Sequence, residues 1–341
     1  MTHNLDRKSF LKSMAIAGAG VTLSGSSLMA AGRDSREPGR IGIIGLDTSH
    51  SIAFTDLIND PDDGEPTGFE VVAATKYGSR DIESSYSRIP EYTESMRERG
   101  IEIVDSIRQL LDQVDYVLLE TNDGHPRLEQ ALQVIEAGKP MFVDKPVAGS
   151  LQHTIRIYHA AEQRGVPIFS SSGLRYVSTT QQVRHEGIIG DVLGAEAFSP
   201  AMIEPTHPDL FWYGIHGVET IFTCLGTGCK SVRRVYTEGT DLVVGMWEGE
   251  RIGTFRGIRE GQHSYGGRAF GSEGNADLGN FEGYGMMVDH ILDFFRTGRV
   301  PIDPEETLEI YAFMEAADES VRQNGGWVRL SDVMSRARRP N

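Results

Sequence analysis

The chain contains only two cysteines, Cys224 and Cys229, in 341 residues. Two cysteines exclude a disulfide-dense scaffold, and we interpret both as small buried residues, with a short disulfide between them as the open alternative. No apolar run reaches the roughly 18 residues that a membrane-spanning helix needs. The 33 Lys and Arg residues are outnumbered by 49 Asp and Glu residues, and the net charge is −16. Without a basic cluster, a nucleic-acid partner is disfavoured.

The N-terminus has the order of features that is typical of an export signal. Arg7, Lys8 and Lys12 precede a mild apolar stretch rich in Gly, Ala and Ser. The string RKSFLK resembles a twin-arginine signal in which Lys8 replaces the second arginine. We therefore predict an export signal over residues 1–32, a polar tether over 33–39 and a periplasmic location. A disordered or amphipathic N-terminal helix on a cytoplasmic protein is the alternative.

Short apolar runs alternate with helical spacing in the first half of the mature chain. The apolar runs that predict buried strands are 40–45, 69–75, 101–104, 116–120, 141–143 and 166–172. Strands that alternate with helices predict a doubly wound parallel sheet. After Gly190 the strands are longer and more exposed, which predicts an open, mostly antiparallel sheet. The fold class is therefore α/β, with a Rossmann domain over 40–165 and a substrate and oligomerisation domain over 166–341.

Several segments resemble, in order, the landmarks of the Gfo/Idh/MocA oxidoreductase family. The segment DKP at 144–146 resembles the family's E-K-P motif, and GIHGVE at 214–219 resembles its G-x-H-x-x-D motif. The segments SSGLRY and FGSEGNADL and the C-terminal helix follow the family order. The resemblance implies an enzyme that oxidises or reduces a sugar, polyol or related hydroxyl or carbonyl compound with NAD or NADP. It also implies a homodimer or homotetramer formed through the open sheet.

The resemblance assigns the chemistry to Lys145 and His216. Lys145 contacts the substrate and the cofactor ribose, and its charge favours a developing alkoxide. His216 is the acid/base that takes the hydroxyl proton. The cofactor-binding residues implied by the resemblance and by the strand ends are Gly45, Asp47, Thr48, Ser49, His50, Lys76, Arg80, Thr121, Asn122, His125, Asp144, Lys145 and Pro146. The predicted substrate-binding residues are Arg175, Trp212, Tyr213 and Glu219.

Three departures from the family pattern bear on these assignments. Only Gly45 survives of the G-x-G-x-x-G fingerprint, and Asp47 stands where the second glycine lets the backbone approach the pyrophosphate. Lys76 and Arg80 follow the second strand in place of an acid, which favours the 2′-phosphate of NADP or, alternatively, solvated loop charges. Trp212 stands where many members have the aspartate that precedes the histidine, so Tyr213, Glu219 or Glu204 is left as the partner of His216.

Several alternatives stay open at the level of the sequence. For Arg175 a plain salt bridge stands beside a substrate contact, and for Trp212 and Tyr213 core packing stands beside stacking on a sugar ring. Asp47, His50, Asp123 and His125 follow neighbouring strands and could hold a divalent metal, but loop and cap roles explain them more simply, and we predict no metal. A glycoside-processing enzyme with a retained cofactor and a non-catalytic sugar-binding or regulatory protein are the alternative functions.

Overall fold

The computed structural model describes residues 37–61 and 64–339. The predicted export signal over residues 1–32 lies outside the described residues. Among the described residues, no helix is both long and apolar enough to cross a bilayer. Cys224 and Cys229 are buried and free, which agrees with their interpretation as core residues rather than as a disulfide.

The first half of the chain forms a parallel sheet whose six strands have the order β3-β2-β1-β4-β5-β6 among the described residues. Its strands are β1 Gly39–Ile44, β2 Phe69–Thr75, β3 Glu102–Val104, β4 Tyr116–Leu119, β5 Met141–Val143 and β6 Ile168–Phe169. The connecting helices are α1 His50–Asn59, α2 Glu83–Tyr86, α3 Ile89–Glu98, α4 Ile107–Leu111, α5 Arg127–Glu136 and α6 Leu151–Arg164. The central strands β4 and β5 are apolar and almost wholly buried because helices cover both faces of the sheet, and the predicted doubly wound sheet is confirmed.

The second half forms a mixed sheet of seven described strands in the order β12-β11-β7-β10-β9-β8-β13. Its strands are β7 Val192–Pro200, β8 Cys229–Tyr236, β9 Thr240–Trp247, β10 Ile252–Ile258, β11 Gly266–Gly271, β12 Asn275–Leu278 and β13 Val328–Arg329. The pair β7 and β10 is parallel and the other pairs are antiparallel. Burial alternates residue by residue along β9, as expected for a sheet with one covered face.

Helices of the second half cover one face of this mixed sheet, and one of them also packs against the parallel sheet. They are α7 Ser178–Gln181, α8 Asp209–Trp212, α9 Ile215–Leu225, α10 Gly285–Thr297, α11 Pro304–Arg322 and α12 Leu330–Ala337. A 3-10 turn at Gly173–Tyr176 and a π-helical turn at Gln182–Glu186 flank α7. Side chains of α10, including Ile291 and Phe294, share a core cluster with Phe54, Phe142 and Phe169 of the first sheet and its helices.

The predicted domain boundary at residue 165 falls before the last strand of the parallel sheet. Ile168 pairs with Met141 and Phe169 pairs with Phe142, so the first sheet extends to Phe169. The boundary is later than predicted because the run VPIF continues the parallel sheet beside β5. Only two residues of this run pair with β5. The residues from Pro38 onward form one compact unit.

Candidate active-site cleft

A cleft of about 310 Å³ lies at the carboxyl ends of β1, β4 and β5, where the second half of the chain faces the parallel sheet. Ligands of doubly wound folds bind at this edge. The lining residues are Thr48, Ser49, His50, Ser84, Arg88, Asn122, Lys145, Ser172, Gly173, Leu174, Trp212, Tyr213, His216, Tyr265, Phe281 and Tyr284. The lining contains two cationic side chains, five aromatic rings and no carboxylate.

Lys145 enters the cleft from the loop that follows β5. Its side chain is only 9% exposed, and its Nζ lies 5.5 Å from the centre of the Tyr213 ring. Among the described residues it has no hydrogen-bond or ion-pair partner. Burial lowers the pKa of Lys145, and the charge of Asp144 partly opposes this effect. The N–H of Val147 donates to Tyr311 Oη of α11 and holds the loop in place. The structure therefore places an unpartnered amine in the cleft, at the position that the sequence predicted.

His216 lies in the first turn of α9 and faces the same cleft. Its Nδ1 is 2.7 Å from Ser172 Oγ. Burial, reinforced by the charge of Lys145, lowers the pKa of His216 well below its usual value. The imidazole is therefore neutral at pH 7 and has a lone pair to accept a proton.

The hydrogen-bond partner of His216 is Ser172, which the sequence did not suggest. The backbone N–H of Leu174 donates to Ser172 Oγ at 3.2 Å and fixes the hydroxyl beside the ring. Of the three partners predicted from sequence, only Tyr213 contacts the histidine, edge to face with ring centres 5.8 Å apart. Glu204 instead accepts from the Thr206 hydroxyl at 3.1 Å. The string of serines after β6 was the one available signal, because polar residues at a strand end face the crevice.

Arg175 and Glu219 lie outside the cleft, contrary to their prediction as substrate-binding residues. Glu219 accepts hydrogen bonds from Ser171 Oγ at 2.8 Å, from Ser172 N at 2.9 Å and from Arg175 Nε at 2.7 Å. Arg175 also pairs with Glu306 at 2.8 Å and is 3% exposed. A buried charge needs such partners, and the plain salt bridge is the correct alternative.

His50 occupies the position of the fingerprint's third glycine and points across the crevice. Its Nδ1 is 2.8 Å from Asp144 Oδ2 and its Nε2 is 2.9 Å from Tyr284 Oη. Burial alone would raise the pKa of Asp144. The charge and the hydrogen bond of His50, together with the charge of Lys145, outweigh burial and lower this pKa to about 2. Tyr284, from the segment before α10, was not predicted, since it lies far along the sequence from every motif.

Asp47 does not present its carboxylate to the cleft. Its side chain is fully buried and accepts hydrogen bonds from Ser79 N at 3.1 Å, Ser85 Oγ at 3.1 Å and Asn122 N at 2.9 Å. Burial raises the pKa of Asp47, and the hydrogen bonds to Asn122 and Ser79 oppose the rise. Asp47 therefore does not place its charge where phosphates would lie, contrary to the prediction. Its side chain turns inward and joins its own loop to the loops at Ser79 and Asn122 and to α2.

The remaining predicted residues divide between the cleft and its surroundings. Thr48, Ser49, Asn122, Trp212 and Tyr213 line the cleft. Lys76 and Arg80 are exposed and lie outside its lining, and Thr121 and Pro146 are buried behind it. His125 is bonded to Asp123 at 2.9 Å and stacks edge to face on His207, away from the lining. Arg88, Tyr265 and Phe281 line the cleft without having been predicted.

The four residues weighed as a metal set do not come together. Instead, the described residues contain two separate groups with ligand atoms within 4.8 Å of one another. One joins Asp123 and His125 with His207, and the other joins His50 with Glu120 and Asp144. Asp47 is excluded from both because its carboxylate is already bonded to the backbone of neighbouring loops.

The floor of the crevice fits a nicotinamide dinucleotide. Gly45 has a φ of +108°, and a Cβ there would meet the backbone N of Thr121 at 2.3 Å, so only glycine leaves this close approach open. Because the Asp47 carboxylate is turned away, phosphate oxygens would meet the polar groups of Thr48, Ser49 and Asn122 rather than a charge. Lys145 lines the same cleft as these polar groups.

Comparison with known proteins shows what this architecture is similar to. Residues 40–172 match the model of the Gfo/Idh/MocA oxidoreductases, described as an oxidoreductase family with an NAD-binding Rossmann fold. An uncharacterized oxidoreductase of Synechocystis is 36% identical over 67 residues, which cover 19% of this chain and only 18% of that relative.

Solved structures share the fold over nearly the whole chain at low identity. GenD2 from gentamicin A biosynthesis, in complex with NAD, has a TM-score of 0.69 and 18% identity, covering 91% of this chain and 99% of its own. The scyllo-inositol dehydrogenase of Lactobacillus casei, with bound NAD(H) and scyllo-inositol, has a TM-score of 0.70 and 16% identity, covering 86% of this chain and 100% of its own. The expected two-sheet α/β fold is confirmed, and the match over residues 40–172 agrees with the expected family.

Proposed function

Since residues 40–172 match the model of the Gfo/Idh/MocA oxidoreductases, we propose that the chain oxidises or reduces a hydroxyl or carbonyl group of a sugar- or polyol-like compound with NAD or NADP. The observation that carries the proposal is the pairing of an unpartnered buried amine, Lys145, with a neutral imidazole, His216, in one cleft. One group stabilises negative charge and the other accepts a proton, which are the two needs of alcohol oxidation.

The proton of the substrate hydroxyl passes to the free ring nitrogen of His216. Ser172 holds Nδ1, so Nε2 is the atom that faces the substrate. As the proton leaves, the oxygen develops negative charge, and the ammonium of the largely buried Lys145 stabilises this alkoxide. A nicotinamide ring bound here supplies the hydride acceptor for the carbon that bears the oxygen. In the reducing direction the same two groups act in reverse.

Aromatic rings on the cleft wall support a carbohydrate-like substrate. Trp212, Tyr213 and Tyr265 all face the cleft, and such rings stack on the apolar face of a sugar or cyclitol. The bound scyllo-inositol of the Lactobacillus relative belongs to the same class of compound. For the cofactor we favour NADP, because Lys76 and Arg80 follow β2 and are exposed, and cations at this strand end can pair with a 2′-phosphate.

Location and assembly complete the proposal. Residues 1–32 direct export to the periplasm, and the cofactor is bound before export because free nicotinamide nucleotide is scarce outside the cell. The uncovered face of the seven-stranded sheet forms the contact of a homodimer or homotetramer. Leu193, Val235 and Ile252 of this sheet are about half exposed, which supports an apolar interface.

The test begins with the protein as purified. Denaturation followed by mass spectrometry identifies any retained nucleotide, and reduction of added NAD or NADP is then followed at 340 nm with a panel of inositols, aldoses and uronic acids. We expect Lys145→Met and His216→Asn each to lower kcat by about 100-fold or more. Lys230→Met and His159→Asn change exposed residues of the same types and serve as controls.

Two outcomes contradict the proposal. One is the absence of both a retained nucleotide and a thermal shift with either added nucleotide. The other is turnover that survives in both the Lys145 and His216 variants. Cleavage of a glycoside without net reduction of cofactor would favour the glycoside-processing alternative instead.

A further inference from the structure

A cluster of ligand atoms lies at the edge of the cleft, which His50 lines, and is not used by the proposed proton and hydride transfer. His50 Nδ1, a carboxylate oxygen of Glu120 and a carboxylate oxygen of Asp144 all lie within 4.8 Å of one another. They come from the start of α1, the end of β4 and the loop after β5. His50 Nδ1 is 2.8 Å from Asp144 Oδ2 and 3.9 Å from Glu120 Oε2.

The hydrogen-bonding needs of this cluster are not met by the described protein atoms. Glu120 is fully buried, and neither of its carboxylate oxygens has a hydrogen-bond partner there. Asp144 is 1% exposed, and its Oδ1 also has none. Buried carboxylate oxygens without a partner are costly and rare in native proteins, and a bound ion is one recognised reason for them.

We propose that His50, Glu120 and Asp144 bind a divalent transition-metal ion of the Zn²⁺ or Mn²⁺ type. Two carboxylates and one imidazole supply oxygen and nitrogen ligands, a set that suits these ions better than Ca²⁺ or Mg²⁺, which prefer oxygen alone. The ion would join the start of α1 to the ends of β4 and β5, and so would fix the floor on which Lys145 stands.

The surroundings of His50 match those of a metal ligand. Its Nε2 is 2.9 Å from Tyr284 Oη, so a proton on Nε2 can be donated to the tyrosine while the lone pair of Nδ1 stays available for the ion. The other candidate group, Asp123 with His125 and His207, differs in this respect. There the Nε2 atom of His207 already accepts a hydrogen bond from the Gly124 N–H at 2.9 Å.

The charges near the cluster set the expected strength of binding. The charges of Arg127 and Lys145 act on both carboxylates, and the charge of His50 acts on Asp144 as well. Arg127 directs a hydrogen bond to the carbonyl of Asp144 rather than to either carboxylate, and so leaves the carboxylate oxygens available. Because these two cations already offset part of the negative charge, we expect micromolar rather than nanomolar affinity for the ion.

The test is metal binding by the full-length protein, without any substrate. Protein purified without a histidine tag is stripped with a chelator, and Zn²⁺ and Mn²⁺ are titrated by calorimetry, with Co²⁺ as a spectroscopic probe. We expect one ion per chain in the wild type, affinity reduced at least about tenfold in Glu120→Gln, and unchanged affinity in the control His125→Asn. The control separates the two candidate groups.

Crystals of the wild type soaked in Zn²⁺ give a second readout that does not depend on a variant that folds. An anomalous difference peak beside His50 Nδ1 would support the proposal. Absence of saturable binding, an adventitious surface ion only, or binding that is lost in His125→Asn but kept in Glu120→Gln would overturn it. None of these outcomes depends on turnover, so the redox proposal and the metal proposal can fail separately.

Discussion

The substitution Glu219→Gln tests whether the cleft depends on the buried network behind it. Glu219 holds Ser171, Ser172 and Arg175 through three hydrogen bonds of 2.7–2.9 Å and is 4% exposed. Glutamine keeps the shape of the side chain but removes the charge, and only one of its two polar atoms can accept. The Ser172 N–H or the Arg175 guanidinium therefore loses its acceptor.

The size of the effect follows from these contacts. Removing one partner of a buried ion pair costs about 3–5 kcal/mol. In the variant, Arg175 keeps its ion pair with Glu306 at 2.8 Å. Burial lowers the pKa of Arg175, but the charges of Glu219 and Glu306 outweigh burial and raise it. Because the guanidinium stays charged but retains one partner, we expect a loss near the lower limit, about 3 kcal/mol in the free energy of unfolding.

Urea denaturation followed by circular dichroism measures this loss. The matched control is Glu196→Gln on β7, whose side chain is exposed and whose substitution should change stability by no more than about 0.5 kcal/mol. A Glu219→Gln variant within about 1 kcal/mol of the wild type would refute the reasoning.

Three further predictions concern the floor, the pH dependence and the thiols. Gly45→Ala should cost about 3 kcal/mol or more of unfolding free energy, whereas Gly138→Ala, with positive φ but open space around it, should cost about 1 kcal/mol. Burial lowers the pKa of His207 to about 4, so the unfolded chain binds a proton before the folded one does. Stability should therefore fall as the pH drops from 6.5 towards 4, by roughly 3 kcal/mol from this group, and His207→Gln should lose this part of the dependence in urea titrations. Burial raises the pKa of Cys224 to about 12, so the native protein should resist alkylation by iodoacetamide. Cys224 and Cys229 should both react after unfolding, and rapid labelling of the native protein would contradict their buried position.

The sequence predicted those parts of the site that lie directly at strand ends. Lys145 follows β5 and His50 follows β1, and both reach the cleft because the carboxyl ends of parallel strands meet at one edge. His216 was placed by its motif. For these residues, the local sequence pattern and the position in the fold both predict a place in the cleft.

The parts that could not be predicted depend on side-chain direction and on distant contacts. A loop aspartate such as Asp47 looks the same in sequence whether it faces a ligand or the interior. Arg175 and Glu219 lie in segments that look like cleft motifs, but their turns direct them into the core. Tyr284 and Ser172 meet their histidines across separations of 234 and 44 residues, which no periodicity records.

The return of α10 to the parallel sheet bears on how the chain reaches its native state during synthesis. Phe54, Phe142 and Phe169 emerge from the ribosome early, yet Ile291 and Phe294, which cover them, are made only near the end of translation. A nascent chain that has completed the first sheet still exposes this apolar surface and is open to chaperones and to aggregation. A gene fragment that ends soon after Phe169 would produce the same unfinished state permanently, so the nucleotide-binding half is not an exchangeable cassette.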